Sequence, residues 1–138
     1  MSPTAFALNV GWFASIAPGE ETVSYVYFGP GFYVPLTDHL GLIPSATFEV
    51  APGSGAWGFV GAATLDLRIG AHTSLNLSPS IAQDTSAFGT VAVLGLGPGI
   101  SYTLDSGLSL SVGVPAALVL GPDVLVLNPG LNLSVPFP

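Results

Sequence analysis

The stretch VLGLGPGISYTLDSGLSLSVGVPAALVLG, residues 93–121, alternates apolar side chains with smaller ones on both sides of a single turn, Asp105-Ser106-Gly107. Before the turn the apolar positions are Leu94, Leu96, Pro98, Ile100, Tyr102 and Leu104. After the turn they are Leu108, Leu110, Val112, Val114, Ala116, Leu118 and Leu120. Because successive side chains point to opposite faces of a strand, this period of two predicts a β-hairpin with one bulky apolar face and one small face.

The same alternation runs through the whole chain, and turn-forming residues divide it into eight segments. The segments lie at roughly 4–17, 22–36, 40–50, 56–69, 74–84, 88–104, 108–120 and 124–137. The connections between them are 18–21, 37–39, 51–55, 70–73, 85–87, 105–107 and 121–123, all rich in Gly, Pro, Asp, Ser or Thr. Eight alternating strands joined by turns predict an all-β, antiparallel, up-and-down fold in a single domain over 1–138.

The composition is unusually apolar, because 49% of the 138 residues are hydrophobic and 7% are charged. Soluble domains carry about a quarter charged residues, so a water-facing surface is difficult to build from this chain. Arg68 is the single basic residue, and the net charge of −7 excludes the basic surface on which nucleic-acid binding depends. The chain contains no Cys, which excludes a disulfide framework and a thiolate metal site.

Neither a targeting segment nor a membrane-spanning helix is predicted. Residues 1–4 carry no basic side chain and lead directly into the first alternating segment, so we expect no secretory signal. Gly, Pro or a polar residue interrupts every apolar run before it reaches about 18 residues, the length that a spanning helix needs.

Two packings of the eight strands compete, and they differ in which face looks inward. In a soluble barrel or sandwich the bulky face would form the core, but eight strands enclose too little space for so many large side chains. In a membrane barrel the bulky face contacts lipid and the small polar face lines the interior. The sheet must then close, because an open edge in hydrocarbon leaves backbone donors and acceptors unpaired. We therefore predict an eight-stranded antiparallel up-and-down transmembrane β-barrel.

The parity of each strand assigns individual side chains to the two faces. The polar side chains predicted to line the lumen are Asn9, Tyr25, Tyr27, Tyr33, Glu49, Asp66, Arg68, Asn76, Asn128 and Asn132. The aromatic side chains predicted to face lipid are Phe6, Trp12, Phe28, Phe32, Phe48, Trp57, Phe59, Phe88, Tyr102 and Phe137. Most of these outward rings fall toward strand ends, where aromatic residues favour the membrane interfaces.

From residue 4 to residue 137 the chain resembles the small eight-stranded outer-membrane barrels of the OmpA or OmpX type. The resemblance rests on an even strand number, the alternating pattern and the near-terminal aromatic residue Phe137, which is followed here by Pro138 whereas the family usually ends on the aromatic residue itself. It implies that both chain ends lie at the periplasmic end of the barrel. The connections are short at both ends and basic residues are almost absent, unlike natural members, which indicates a de novo designed or minimised barrel.

Three charged residues are assigned to the small face of the predicted strands, namely Glu49, Asp66 and Arg68. They could form a charged constriction that controls ions. Alternatively, Asp66 and Arg68, two residues apart, offset each other in a packed interior, because an unpaired buried charge is costly. We favour the structural interpretation and expect Glu49, toward the opposite rim, to stay hydrated.

The two histidines, His39 and His72, fall in turns at the same predicted end, where Asp38 or Asp105 would have to complete a metal site. Solvated turn residues are the favoured interpretation, so neither a metal site nor a cofactor site is predicted. No nucleophile motif such as G-x-S-x-G surrounds any Ser. We expect no catalytic residues and no enzymatic activity.

Five prolines lie inside strands on the predicted outer face: Pro30, Pro44, Pro79, Pro98 and Pro129. Each lacks the backbone N–H that a strand interior normally donates to its neighbour. Bulges or register offsets are the expected accommodation.

The predicted function is structural: the barrel inserts into a bilayer and serves as a scaffold. A minimal pore through the barrel interior is the further option. Eight strands usually leave an interior filled by side chains, so no steady conductance is expected. The alternative is a soluble β-barrel or sandwich that binds an apolar ligand or partner. The chain is predicted to be a monomer whose partner is a lipid bilayer or detergent, and no nucleic-acid partner is expected. Its predicted location is an outer-membrane-type or synthetic bilayer.

Overall fold

The computed structural model describes residues 5–16, 19, 22–86, 89–121 and 123–136, and these ranges contain ten β-segments. The segments are β1 (Ala5–Ser15), β2 (Val23–Pro35), β3 (Leu40–Ala51), β4 (Ala56–Arg68), β5 (Thr73–Ser86), β6 (Gly89–Thr103), β7 (Ser109–Gly113), β8 (Ala116–Val119), β9 (Val124–Leu127) and β10 (Gly130–Pro136). Within these ranges no helix has the length and apolar character needed to cross a membrane.

The ten segments form eight barrel strands, because β7 and β8 follow one another along the seventh strand and β9 and β10 along the eighth. Neighbours are antiparallel in the order β5-β4-β3-β2-β1-β10-β7-β6-β8-β9, and β5 also pairs with β6. These pairings close the sheet into a cylinder in which the first barrel strand meets the last. The predicted closed, eight-stranded, antiparallel all-β barrel is confirmed.

The predicted strand limits differ from the observed ones by a few residues near the turns. Four residues assigned to connections belong to strands instead: Ala51, Thr73, Thr85 and Ser86. Thr85 pairs with Thr90 and Ser86 with Gly89, which shows that pairing extends the β5–β6 hairpin further than its polar composition suggested. The predicted turn 18–21 falls outside the described residues except for Gly19, as do Phe88 and Phe137.

Bulky apolar side chains point away from the barrel axis. Thirty large hydrophobic side chains of the described residues are solvent-exposed, from 36% for Phe6 to 61% for Ile81. The buried hydrophobic residues are few, and no large side chain among the described residues is fully buried. The barrel is therefore inside-out relative to a soluble domain, whose bulky apolar residues are the ones most often buried.

The in-strand prolines are accommodated without a change of register. Phe28 pairs with Phe48 and Gly31 with Ser45, so the β2–β3 ladder skips Pro30 and resumes in the same alignment. The ladder on one side of each of the other four prolines, Pro44, Pro79, Pro98 and Pro129, is interrupted in the same way. On its other side each of these prolines keeps backbone pairing or a hydrogen bond with the neighbouring strand. The expectation of bulges or register offsets is wrong. A proline lacks the backbone N–H and so leaves a single ladder hydrogen bond unmade, which requires no change of register.

Tyrosines on the inner face lie flat over glycines of neighbouring strands. A Cβ atom added to Gly11 would collide with the Tyr27 hydroxyl and with the Leu131 carbonyl oxygen, and one added to Gly41 would collide with the Tyr33 ring. Glycine therefore provides the space in which each ring packs against the barrel wall, a device that also helps a sheet to bend.

Replacing Gly11 should destabilise the barrel, whereas replacing an outward glycine should not. We expect Gly11→Ala to lower the free energy of unfolding by about 1–3 kcal/mol, because the new methyl group overpacks the wall. Gly61→Ala is the matched control, since the nearest atom to an added Cβ there is Ile81 Cγ2 at 3.9 Å. Urea unfolding in detergent micelles, followed by Trp fluorescence, measures both values. Equal effects of the two substitutions would contradict the packing described above.

Candidate functional site: the barrel interior

A central cavity of about 910 Å³ follows the barrel axis and is lined by residues from all eight barrel strands. We call the end with the 52–55 turn the upper end, and the end with the 36–39, 69–72 and 104–108 connections the lower end. All ten polar side chains assigned to the inner face border this cavity: Asn9, Tyr25, Tyr27, Tyr33, Glu49, Asp66, Arg68, Asn76, Asn128 and Asn132. Their function as the lining of an aqueous lumen stays a prediction.

The upper end of the cavity is narrowed by a group that we call the aromatic plug, formed by Phe13, Tyr25, Ala51 and Ala56. The rings of Phe13 and Tyr25 are stacked, with centroids 4.9 Å apart and an interplanar angle of 9°. Tyr25 starts on β2, and its hydroxyl donates a hydrogen bond of 3.2 Å to Asp84 Oδ2 on β5. The tyrosine therefore reaches past β3 and β4 and occupies the interior at this level.

Two carboxylates lie beside the aromatic plug. Glu49 is only 7% exposed but borders the cavity, and the hydration of its carboxylate stays a prediction. Asp84 is a fourth charge inside the strands and faces the same interior, where its Oδ1 is buried without a hydrogen-bond partner. The even-numbered inward positions of β5, which include Ser78 and Ser80, were the signal that could have identified Asp84 from the sequence.

The middle of the interior holds a polar network that crosses neighbouring strands. The Tyr27 hydroxyl donates to Asn132 Oδ1 at 2.9 Å, and Asn132 Nδ2 lies 3.5 Å from Asn9 Oδ1. On the other side of the barrel the hydroxyls of Thr64 and Ser78 are 2.8 Å apart. Such contacts satisfy polar side chains inside the cylinder and link strands beyond their backbone ladders.

Toward the lower end, Asp66 is paired differently from the sequence-based expectation. Its Oδ1 accepts a hydrogen bond from Asn76 Nδ2 on β5. Arg68 is exposed and forms no ion pair with Asp66 within 4 Å. The two charges therefore make no direct contact, and the offset between them at longer range stays a prediction.

The two histidines do not form a common site. His72 Nδ1 lies 2.8 Å from the Thr103 carbonyl oxygen, and Nε2 lies 3.7 Å from Asp105 Oδ1. His39 belongs to the exposed 36–39 connection, where its backbone N–H donates to Thr37 Oγ1 at 3.2 Å. In the described ranges no group of three or more His, Cys, Asp or Glu residues could hold a metal ion.

Aromatic residues assigned to the outer face cluster with one another there. Phe48 contacts Phe28 and Phe59 with ring centroids 6.0 and 5.2 Å apart, and Phe6 contacts Phe32 at 5.1 Å. The other described members of this set are Trp12, Trp57 and Tyr102, each more than 40% exposed. That these rings contact lipid stays a prediction.

The interior is less polar than the small face of the sequence pattern suggested. Phe13 points inward although it was not assigned to either face, and it supplies one of the two stacked rings of the aromatic plug. Further apolar side chains border the cavity at Ile43, Val60, Val93, Val119 and Val126. Phe13 shares its parity with Asn9 and Gly11, and this parity was the signal that could have placed it.

The fold is shared with small outer-membrane barrels and with a designed one. Neisserial surface protein A superposes with a TM-score of 0.59 at 15% sequence identity, covering 99% of this chain and 98% of that one. Ail, the attachment invasion locus protein of Yersinia pestis, gives 0.61 at 14% identity over 99% and 100% of the two chains. A de novo designed transmembrane β-barrel gives 0.53 at 12% identity over 98% of each. No protein-family profile and no curated protein matches the sequence.

Removing the donor to Asp66 should destabilise the barrel more than removing an unpaired amide elsewhere in the lumen. We expect Asn76→Ala to lower the free energy of unfolding by about 1–3 kcal/mol, because the Asp66 carboxylate loses the Asn76 amide donor in a partly buried position. Asn128→Ala is the control, since Asn128 Oδ1 is buried without a partner. Urea unfolding in micelles compares the two variants, and an equal loss in both would argue against a stabilising Asn76–Asp66 bond.

Proposed function

We propose that the chain is a membrane-inserted β-barrel with a structural role: an apolar cylinder that anchors itself in a bilayer while its plugged interior passes no steady current. The observation that supports this most strongly is the outer face, where thirty large hydrophobic side chains are exposed. No charged residue occupies an outward strand position in the described ranges. A surface of this kind is stabilised by acyl chains and would aggregate in water.

The shared fold supports a lipid or detergent environment but not a particular partner. Ail has been crystallised with the heparin analogue sucrose octasulfate. A sulfated ligand requires basic groups, and this chain has Arg68 as its only Lys or Arg residue, so we do not extend polyanion binding to it. The proposal of a soluble protein with an apolar ligand is also disfavoured, because thirty large hydrophobic side chains of the described residues are exposed instead of buried.

A charge placed on the outer face should separate a membrane barrel from a soluble one. Ile81 is 61% exposed, so Ile81→Arg would be a mild surface substitution in water. In a bilayer we expect it to lower the free energy of unfolding by about 2–4 kcal/mol, because the side chain lies against hydrocarbon. Urea titration in phosphatidylcholine vesicles, with heat-modifiable gel migration to report folded barrel, measures this loss.

The matched control is Gly53→Arg in the upper 52–55 turn, where an added side chain meets open space. We expect this variant to fold into vesicles like the wild type. A monodisperse, β-rich wild-type monomer in plain buffer, or Ile81→Arg with unchanged stability in vesicles, would overturn the proposal.

The second candidate function is a minimal pore, and the cavity of about 910 Å³ is the observation that favours it. The lining extends from Tyr25 and Glu49 at the upper end to His72 and Asp105 at the lower end. What opposes conduction is the aromatic plug, in which Tyr25 is 8% exposed and Ala51 is fully buried. The state of the aromatic plug therefore separates the two candidate functions: a closed plug fits the scaffold, and an open plug fits the pore.

Opening the aromatic plug should create a conducting barrel. We expect the wild type to give no stable unitary currents in planar bilayers, and the double variant Phe13→Ala/Tyr25→Ala to give resolvable ones, because the stacked rings that occupy the upper lumen are removed. Tyr102→Ala removes an aromatic ring from the outer face and should stay silent. Stable currents from the wild type would contradict the proposed scaffold role and support the pore instead.

A further inference from the structure

The upper lumen holds negative charge that the chain itself does not neutralise. Glu49 is 7% exposed and forms no side-chain hydrogen bond with any described residue. Arg68, the only Lys or Arg of the sequence, lies at the other end of the barrel, where its backbone N–H donates to the His39 carbonyl oxygen. Because an isolated buried carboxylate is costly, Glu49 requires a positively charged partner or a proton.

The strand register brings a second carboxylate to the same level. Glu49 pairs with Gly58, and Gly58 pairs with Asp84, so the three residues form one inward row across β3, β4 and β5. Adjacent strands are about 4.8 Å apart, which separates the Glu49 and Asp84 backbones by roughly 10 Å. Gly58 contributes no side chain between them, and both acidic residues line the same cavity.

The two oxygens of Asp84 have different surroundings. Oδ2 accepts the hydrogen bond from the Tyr25 hydroxyl. Oδ1 is buried and unpartnered, and it lies over Gly58, 3.3 Å from the position that a Cβ would take there. The tyrosine thus orients the carboxylate so that its unpartnered oxygen lies over Gly58, the residue between Asp84 and Glu49 in the strand register.

We propose that Glu49 and Asp84 Oδ1 form a cation site in the upper lumen that binds a hard divalent cation such as Ca²⁺, with water completing the coordination. Ca²⁺ takes carboxylate and water oxygens at flexible geometry, which suits two acidic side chains on different strands. With two carboxylate ligands the expected Kd is on the order of 10⁻⁴–10⁻³ M, the range of weak extracellular sites. The site requires the closed barrel and is independent of whether the plug conducts.

Terbium luminescence provides a direct test, because Tb³⁺ replaces Ca²⁺ at oxygen sites and is excited by nearby tyrosine. Tyr27 pairs with Glu49 in the β2–β3 ladder, and the Tyr25 hydroxyl donates a hydrogen bond to Asp84. We expect the full chain, folded in zwitterionic micelles, to give saturable Tb³⁺ emission that Ca²⁺ displaces. Glu49→Gln and Asp84→Asn should each weaken the affinity by about tenfold or more, because ligand charge sets the affinity of such sites.

Asp38→Asn is the matched control, since it removes an acidic group from the exposed lower connection and should leave the emission unchanged. Equal emission from wild type and Glu49→Gln, or equal loss in Asp38→Asn, would place the ion elsewhere and overturn the proposal. Absence of emission would also overturn it and would leave a proton as the neutralising partner of Glu49.

A second measurement keeps the proposal testable if the lumen variants do not fold. Ca²⁺ that binds only the folded barrel must raise its stability, by an amount that grows with the ratio of free ion to Kd. We expect the urea midpoint of the wild type to rise on titration with Ca²⁺ and not with an equal ionic strength of choline chloride. A midpoint that does not respond to Ca²⁺ would contradict the site.

Discussion

Closure of the backbone ladder is the constraint on which the rest of the structure depends. β1 pairs with β10 over seven consecutive residue pairs, from Ala7–Pro136 to Phe13–Gly130. This pairing joins the two ends of the chain and removes the sheet edges that the first and last strands would otherwise present. Only after the edges are paired can the bulky face be turned outward, because in hydrocarbon no solvent replaces a missing backbone hydrogen bond.

Closure also explains why the interior could be only partly predicted. The direction of each side chain follows from the period-two pattern, so the inward placement of Asn9, Asp66 and Asn132 could be read from parity alone. Contacts across the lumen depend instead on how far the strands are staggered around the cylinder, which local sequence does not encode. The partnership of Tyr25 with Asp84, 59 positions apart, is of this second kind.

The same distinction accounts for the residues that were misassigned. Phe13 is apolar and sits on the small face, so a division by residue size overlooked it although its parity was correct. Glu49 was placed near a rim, but it is only 7% exposed and pairs with Tyr27 on β2. Asp66 was assigned to the charge nearest in sequence, whereas the adjacent strand supplies Asn76.

The interrupted ladders near the chain's last strands have a mechanical consequence. Pro98, Pro115 and Pro129 lie on three neighbouring barrel strands and interrupt the two ladders between them at nearly the same height. Between the sixth and seventh strands, pairing stops at Gly99–Gly113 and resumes at Leu96–Ala116. Between the seventh and eighth strands, it stops at Gly130–Gly113 and resumes at Ala116–Leu127. The hydrogen bonds that remain there include Val114 to Pro98 at 3.2 Å and Asn128 to Pro115 at 2.8 Å. Lateral stress on the cylinder would concentrate in this quadrant, because interruptions of two adjacent ladders coincide there.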